Sequence, residues 1–265
     1  MTQPLSSAAP AVEICGARKT YATGTEALAP VDLAIGRGEF VTLLGPSGCG
    51  KTTLLNLVAG LVQPSGGTIR WWGGAPGETG GGLRMGYVFQ SPTLMPWARV
   101  DANVRLPLDL AGVPRAQGAT QVDDALRLVG LAKFARRFPR ELSGGMQMRA
   151  SIARAIVNGP DMLLMDEPFG ALDEFTRQRL DAELLALWGA RGLTVIFVTH
   201  SITEAAFLST RIVVMGASPG RVVDDVRHDI CGPRDDAFRT SPAFLDCCRR
   251  LSRAIQSAGE AALHE

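Results

Sequence analysis

The sequence predicts an α/β fold, a largely parallel core sheet with a block of helices inserted into it, on three observations. A glycine-rich turn, Gly45-Pro-Ser-Gly-Cys-Gly-Lys-Thr52, lies between the apolar run Phe40–Leu44 and a helical pattern over Thr52–Leu61. Two further apolar runs, Met162–Met165 and Leu193–Thr199, have the continuity expected of strands covered on both faces of a parallel sheet. Each is followed by helical periodicity, whereas the stretch from Ser91 to about Pro160 reads as helix throughout.

Taken in order, Ala11–Tyr21 and Ala27–Ile35 read as strands joined by a turn at Thr23-Gly-Thr25, and Gly36–Glu39 turns into the strand before the glycine-rich loop. Leu54, Leu57, Val58 and Leu61 recur at helical spacing, so one face of the helix packs on the sheet. Thr68–Trp72 is a strand, Gly73–Gly82 a glycine-rich loop, and Met85–Phe89 a buried strand ending at Gln90. The inserted block, residues 91–160, holds helices over Ala102–Leu110, Ala119–Val129 and Ser143–Val157, with Pro107 expected to kink the first. Glu174–Trp188 and Ile202–Leu208 are helical, and Arg211–Met215 pairs with Arg221–Asp224 across Pro219-Gly220. The expected organisation is a disordered leader over 1–10, one α/β unit over 11–227 and a helical extension over 228–265, helical near Phe244–Ala258.

Composition excludes several function classes. With 46% hydrophobic and 20% charged residues the chain is ordinary for a soluble globular protein. Lys plus Arg number 27 against 26 acids, a net charge of +1, so nothing electrostatic argues for a nucleic-acid partner. No apolar run approaches a membrane span, and the opening residues lack the basic start and apolar centre of a signal peptide. Cys15, Cys49, Cys231, Cys247 and Cys248 are odd in number and follow no framework, as expected of free thiols in a reducing compartment. Cys247-Cys248 near His264 has no metal-ligand spacing.

The glycine-rich turn is a phosphate loop in its flanks as well as its pattern. Its glycines let successive N–H groups point at phosphate oxygens, and the helix that follows adds its positive end. Gly45, Pro46, Ser47, Gly48, Cys49, Gly50, Lys51, Thr52 and Thr53 are therefore the candidate ATP contacts, with Lys51 on the β- and γ-phosphates and the Thr52 hydroxyl on Mg²⁺. Hydrolysis also needs a metal carboxylate and a base for water. Asp166 and Glu167 directly follow the buried run Met162–Met165, at the carboxyl end of a core strand where ligands bind in open sheets. Gln90 and His200 end two other strands at the same edge; Gln90 is a candidate Mg²⁺ ligand or water-positioning group. Ser143-Gly144-Gly145, at a helix start in the inserted block, is a second anion site that one nucleotide per chain does not need.

These residues resemble the ATP-binding-cassette (ABC) ATPases over nearly the whole chain to about Asp225. Leu142-Ser-Gly-Gly-Met resembles the signature motif, Met162–Glu167 the Walker B strand, Gln90 the Q-loop, Gly170-Ala-Leu-Asp173 the D-loop, and His200 the switch histidine. The resemblance implies an antiparallel N-terminal β subdomain, Glu167 as catalytic base, Tyr21 stacking on adenine, and Asp173 reaching across a dimer interface. It also implies a head-to-tail homodimer in which the Ser143–Gly145 turn of one copy completes the ATP site of another. More narrowly, Gln90–Trp97 and Phe169–Arg177 resemble the nitrate/sulfonate/taurine-type importers, whose ATPases sit on the cytoplasmic membrane face. Separate permease subunits would dock near Met95, Pro96 and Trp97, and solute choice would lie in them and in an external solute-binding protein. Met146 stands where the family favours glutamine, and Ser201 where it favours aspartate. Import and export share this cassette chemistry. A soluble cassette acting on ribosomes or DNA, or a scaffold without catalysis, are the competing classes, and the presence of both Glu167 and His200 argues against the scaffold.

Overall fold

The computed structural model describes residues 9–74, 84–170, 172–217, 219–228 and 234–263. Two sheets organise it. β1 (Val12–Thr20) pairs antiparallel with β2 (Glu26–Ile35) on one side and β4 (Gly66–Trp71) on the other. The larger sheet contains β3 (Phe40–Leu44), β5 (Met85–Val88), β6 (Met162–Asp166), β7 (Thr194–Thr199), β8 (Arg211–Gly216) and β9 (Arg221–Arg227) in the order β5-β6-β7-β3-β8-β9. All its pairings are parallel except the β8–β9 pair at one edge.

The central strands are buried on both faces, and their alternation divides the interior into two layers. Val41, Leu43, Leu164 and Val198 face α1 (Lys51–Val58) and the three-stranded sheet. Phe40, Leu44, Leu163 and Met165 face the opposite layer. That layer includes α2 (Val100–Leu110), α3 (Arg115–Leu128) and α4 (Gly144–Ile156), which lie in sequence between β5 and β6. It also includes α5 (Glu174–Arg191), α6 (Ile202–Leu208) and α7 (Pro242–Leu263). Within the first layer Trp71 ties β4 to the end of α1, its indole N–H donating to Val58 O at 2.9 Å.

Element ends depart from the periodicity where caps decide them. α1 stops at Val58, three residues before Leu61, because Gly60 turns left-handed at φ 70° and leaves Leu61 exposed. α3 begins at Arg115, four residues before Ala119, since Pro114 supplies the N-cap and its carbonyl accepts from Gln117 and Gly118. α7 is longer than expected at both ends, with Pro242 in the first position that suits proline. α2 runs through Pro107 to Leu110. Residues 1–8 of the leader, 75–82 of the glycine-rich loop, Ala171, Cys231 and His264 lie outside the described residues.

Candidate active site

Parallel register brings the carboxyl ends of four strands to one edge, since Leu44 pairs with Thr199, Asp166 with Val198, and Val88 with Met165. After β3 the chain must turn within a tight space. A Cβ at Gly45 would lie 2.4 Å from Met215 O and 2.7 Å from Cys49 Sγ, so only glycine fits. Gly48 and Gly50 take φ of 81° and 85°, and Gly50 leads directly into α1. Lys51 is only 4% exposed and is satisfied by the loop itself: Nζ donates to Gly45 O at 2.9 Å and Pro46 O at 2.7 Å. Cys49 is buried beneath it, and burial pushes its thiol pKa up.

Facing the loop, Asp166 ends β6 and accepts from Thr52 Oγ1 at 2.9 Å. Burial raises its carboxyl pKa, with the Glu167 charge acting in the same direction and the Thr52 hydrogen bond and Lys51 opposing it. Glu167 has φ 44°, a left-handed conformation that side chains other than glycine rarely adopt. Its N–H donates to Val198 O at 3.0 Å, and its carbonyl accepts from Gly170 N at 3.2 Å. So held, the carboxylate reaches two groups: Oε1 lies 4.0 Å from Lys51 Nζ, and Oε2 lies 3.1 Å from His200 Nδ1. A cavity of about 350 Å³ opens above, lined by Ser47, Gly48, Lys51, Thr52, Gln90 and Glu167 among others.

The remaining sequence candidates divide between neighbours of this cavity and groups that stand apart. Tyr21 reaches the first turn of α1, its hydroxyl 3.4 Å from Thr53 Oγ1, with the ring 39% exposed. Ser143, Gly144 and Gly145 are not among the cavity walls. Ser143 caps α4 by accepting from Met146 N at 3.3 Å, and among the described residues nothing beyond its chain neighbours and its own helix backbone lies within 4 Å of the position a Gly144 Cβ would take. Asp173 caps α5, accepting from Thr176 N at 3.0 Å, and that bond lowers its pKa. Trp97 is 76% exposed, next to the exposed Pro96 and half-buried Met95. Ser201 takes over a local capping role in α6, accepting from Glu204 N at 3.3 Å.

Three residues that the sequence left unmarked hold this edge in shape. Asn103 is fully buried, and its amide meets Met95 N and O, Ala98 O and Arg99 O, pinning the turn before α2. Arg154 donates to Pro92 O, Thr93 O and Thr93 Oγ1, fixing the chain just after Gln90. Glu204 is 4% exposed; it accepts from Thr199 Oγ1 and pairs with Arg177 Nε at 3.4 Å. The one signal available was a polar residue on the inward side of an apolar pattern.

The residues present fit a nucleotide and a divalent ion. The open backbone beside Gly48 and the shielded ammonium suit phosphate. Thr52 Oγ1, Asp166 and Gln90 offer hard oxygen donors. Among the described residues no three His, Cys, Asp or Glu converge as a metal cage, so phosphate and water would complete the coordination of such an ion.

The model of the ABC transporter family matches residues 28–170. The chain belongs to this family. It is an ATP-binding cassette subunit with ATPase activity. Among curated relatives, the taurine import ATP-binding protein TauB of Rhizobium johnstonii is 48% identical over 242 residues, covering 89% of this chain and 92% of TauB. Among solved structures, cbiO1 from Clostridium perfringens, part of the ABC transporter complex cbiONQ, is 27% identical with a TM-score of 0.75, covering 92% of this chain and 97% of that one. A dimeric ATP-binding cassette in a post-hydrolysis state, bound to ADP and Pi, is 33% identical with a TM-score of 0.73, covering 82% of this chain and 98% of that one. Among the described residues no helix is long and apolar enough to cross a membrane.

Proposed function

We propose that the chain is the ATPase subunit of an importer for taurine or a related small solute such as a sulfonate or nitrate. It works as a head-to-tail homodimer on the cytoplasmic face of the membrane, with separate permease subunits and an external solute-binding protein. The observation that carries the dimer is the distance in function between two halves of one chain. Lys51 and Glu167 line the cavity and His200 contacts Glu167 from behind it, while the open turn Ser143–Gly145 neither lines the cavity nor contacts these groups. A second copy presenting that turn completes the site, with Asp173 at the junction and the positive end of α4 on the γ-phosphate.

Within the site, Lys51 exchanges its two carbonyl partners for phosphate oxygens, and the Tyr21 ring stacks on the base. Glu167 takes the proton from attacking water, and His200 orients that carboxylate through Nδ1. A magnesium ion held by Thr52, Gln90 and Asp166 would neutralise phosphate charge. Permease docking falls at the exposed Trp97 with Met95 and Pro96. A groove of about 560 Å³ walled by Phe89, Leu106, Pro107 and Leu110, on the chain flanking that segment, offers further apolar surface. The taurine-import relatives support the solute class.

The test is co-purification of the chain with its membrane partner, followed by ATP turnover in proteoliposomes with binding protein loaded with taurine, another sulfonate or nitrate. Turnover should rise with one loaded form and not with empty binding protein. Turnover indifferent to every loaded form would refute the importer. Glu167→Gln should bind ATP, fail to turn over and accumulate as a dimer on gel filtration; a hydrolysing Glu167→Gln would remove Glu167 as the base.

A further inference from the structure

The C-terminal extension grips α6, the short helix that directly follows His200. Arg234 Nη1 donates to Phe207 O at 2.8 Å, and His228 Nε2 donates to Ala206 O at 3.0 Å, so two carbonyls near the helix end are held from the extension. Arg239, in the short turn Phe238–Thr240, reaches further. Its guanidinium lies 3.6 Å from the centroid of the Phe207 ring on α6. From there it donates to Asp181 Oδ2 at 3.1 Å and Gln178 O at 3.4 Å on α5. One side chain thus bridges the two helices.

Asp181 is 1% exposed, and its other oxygen, Oδ1, is buried without a hydrogen-bond partner, so Arg239 is its one hydrogen-bonding side chain among the described residues. One turn earlier on α5, Arg177 pairs with Glu204 of α6. Glu204 in turn brackets His200: its carboxylate accepts from Thr199, its N–H donates to Ser201 Oγ, and Ser201 N donates to Thr199 Oγ1 at 2.9 Å. The backbone on both sides of the histidine is therefore set by where α6 lies.

We propose that Arg239 is a positioning residue for hydrolysis: by bridging Phe207 on α6 and Asp181 on α5, it fixes α6 and so holds His200 against Glu167. This rests on the reading of Glu167 and His200 as the hydrolytic pair. It gives the extension a task in the turnover of ATP and leaves nucleotide contact to the loop around Lys51.

Steady-state ATP hydrolysis by the full chain tests it, comparing Arg239→Met, Arg239→Lys, Asp181→Asn and the Asp181→Asn/Arg239→Met pair with His200→Ala. Arg239→Met should lower kcat about five- to tenfold, inside the roughly two- to thirtyfold range such couplings span, while KM for ATP stays within about twofold. Arg239→Lys, which keeps charge and loses the planar stack, should fall between. The double variant should be no slower than Arg239→Met, because both residues belong to one contact. The chain has three histidines, so the His200 ring-nitrogen NMR signals can be assigned by their loss in His200→Ala, and they should shift in Arg239→Met and Arg239→Lys. Unchanged kcat in the Arg239 variants while His200→Ala is inactive would overturn the proposal. So would a kcat that falls only in proportion to the folded fraction, with the His200 signals of the folded chain unmoved. If His200→Ala turns over like the parent, the hydrolytic pair itself is wrong and this role falls with it.

Discussion

Glu167 offers a test that separates backbone from charge. Its φ of 44° places a side chain where a Cβ crowds its own carbonyl, at about 1–2 kcal/mol for an L-residue. Replacing it by alanine or by glycine removes the carboxylate, the 4.0 Å approach to Lys51 and the contact with His200 equally. The two variants then differ in the strained torsion and in the greater freedom of glycine when unfolded, which costs about 0.5–1 kcal/mol. The difference favours Glu167→Gly by about 1 kcal/mol, the reverse of the usual Ala-over-Gly order, and corresponds to about 2–4 °C in Tm for a chain of this size. Differential scanning calorimetry of the nucleotide-free chain measures it, with ATP turnover run in parallel. Both variants should be inactive, the glycine form melting higher. A Glu167→Ala chain at least as stable as Glu167→Gly would show that the left-handed turn stores no strain, and the account of how the carboxylate is aimed would fail.

Other outcomes follow from the same geometry. Lys51→Ala should weaken ATP binding by at least about tenfold, as expected when a charged phosphate contact is lost, and titration calorimetry with equal affinities would contradict it. Gly45→Ala should destabilise the chain by about 2 kcal/mol or more, because its Cβ would meet Met215 O at 2.4 Å; denaturant melts with an unchanged midpoint would refute this. Burial, reinforced by the Glu204 charge and opposed by Arg239 and Arg177, raises the Asp181 pKa from 3.8 to about 7. The folded chain keeps that proton where the unfolded chain has lost it. The stabilisation is thus complete below about pH 4 and disappears as pH rises through about 7, with a slope of at most about 1.4 kcal/mol per unit. Unfolding curves of Asp181→Asn between pH 5 and 8 should lack the part of the slope that the parent chain shows.

What could be read from residues alone was the chemistry that is contiguous in sequence. Gly45–Thr52 and Met162–Glu167 are local patterns whose strand flanks announce their place, and the structure sets Thr52 against Asp166 at 2.9 Å. Ser201, unusual by resemblance, still caps α6, because a hydroxyl can accept the N–H of Glu204 as a carboxylate would. Groups whose meaning is purely tertiary were not legible. Asn103 looks like any polar residue on a helix, and only folding shows that it is fully buried and spans four backbone atoms of the preceding turn. The role of the extension is not legible in sequence because His228, Arg234 and Arg239 meet α6 from positions 20 or more residues later in the chain. The early start of α3 was missed since Pro114 carries no apolar period, only a torsion suited to a first turn.

The self-satisfied Lys51 bears on how quickly the site can respond. Its ammonium was largely stripped of water when the chain folded and rests on Gly45 O and Pro46 O at the wall of the cavity. In the proposed binding mode an arriving triphosphate would find a cation already desolvated and would displace two neutral dipoles in place of a hydration shell. On the same proposal these two carbonyls would take the ammonium back when nucleotide leaves, giving the loop a resting shape without an unpaired buried charge. A cassette built this way would reset itself between strokes.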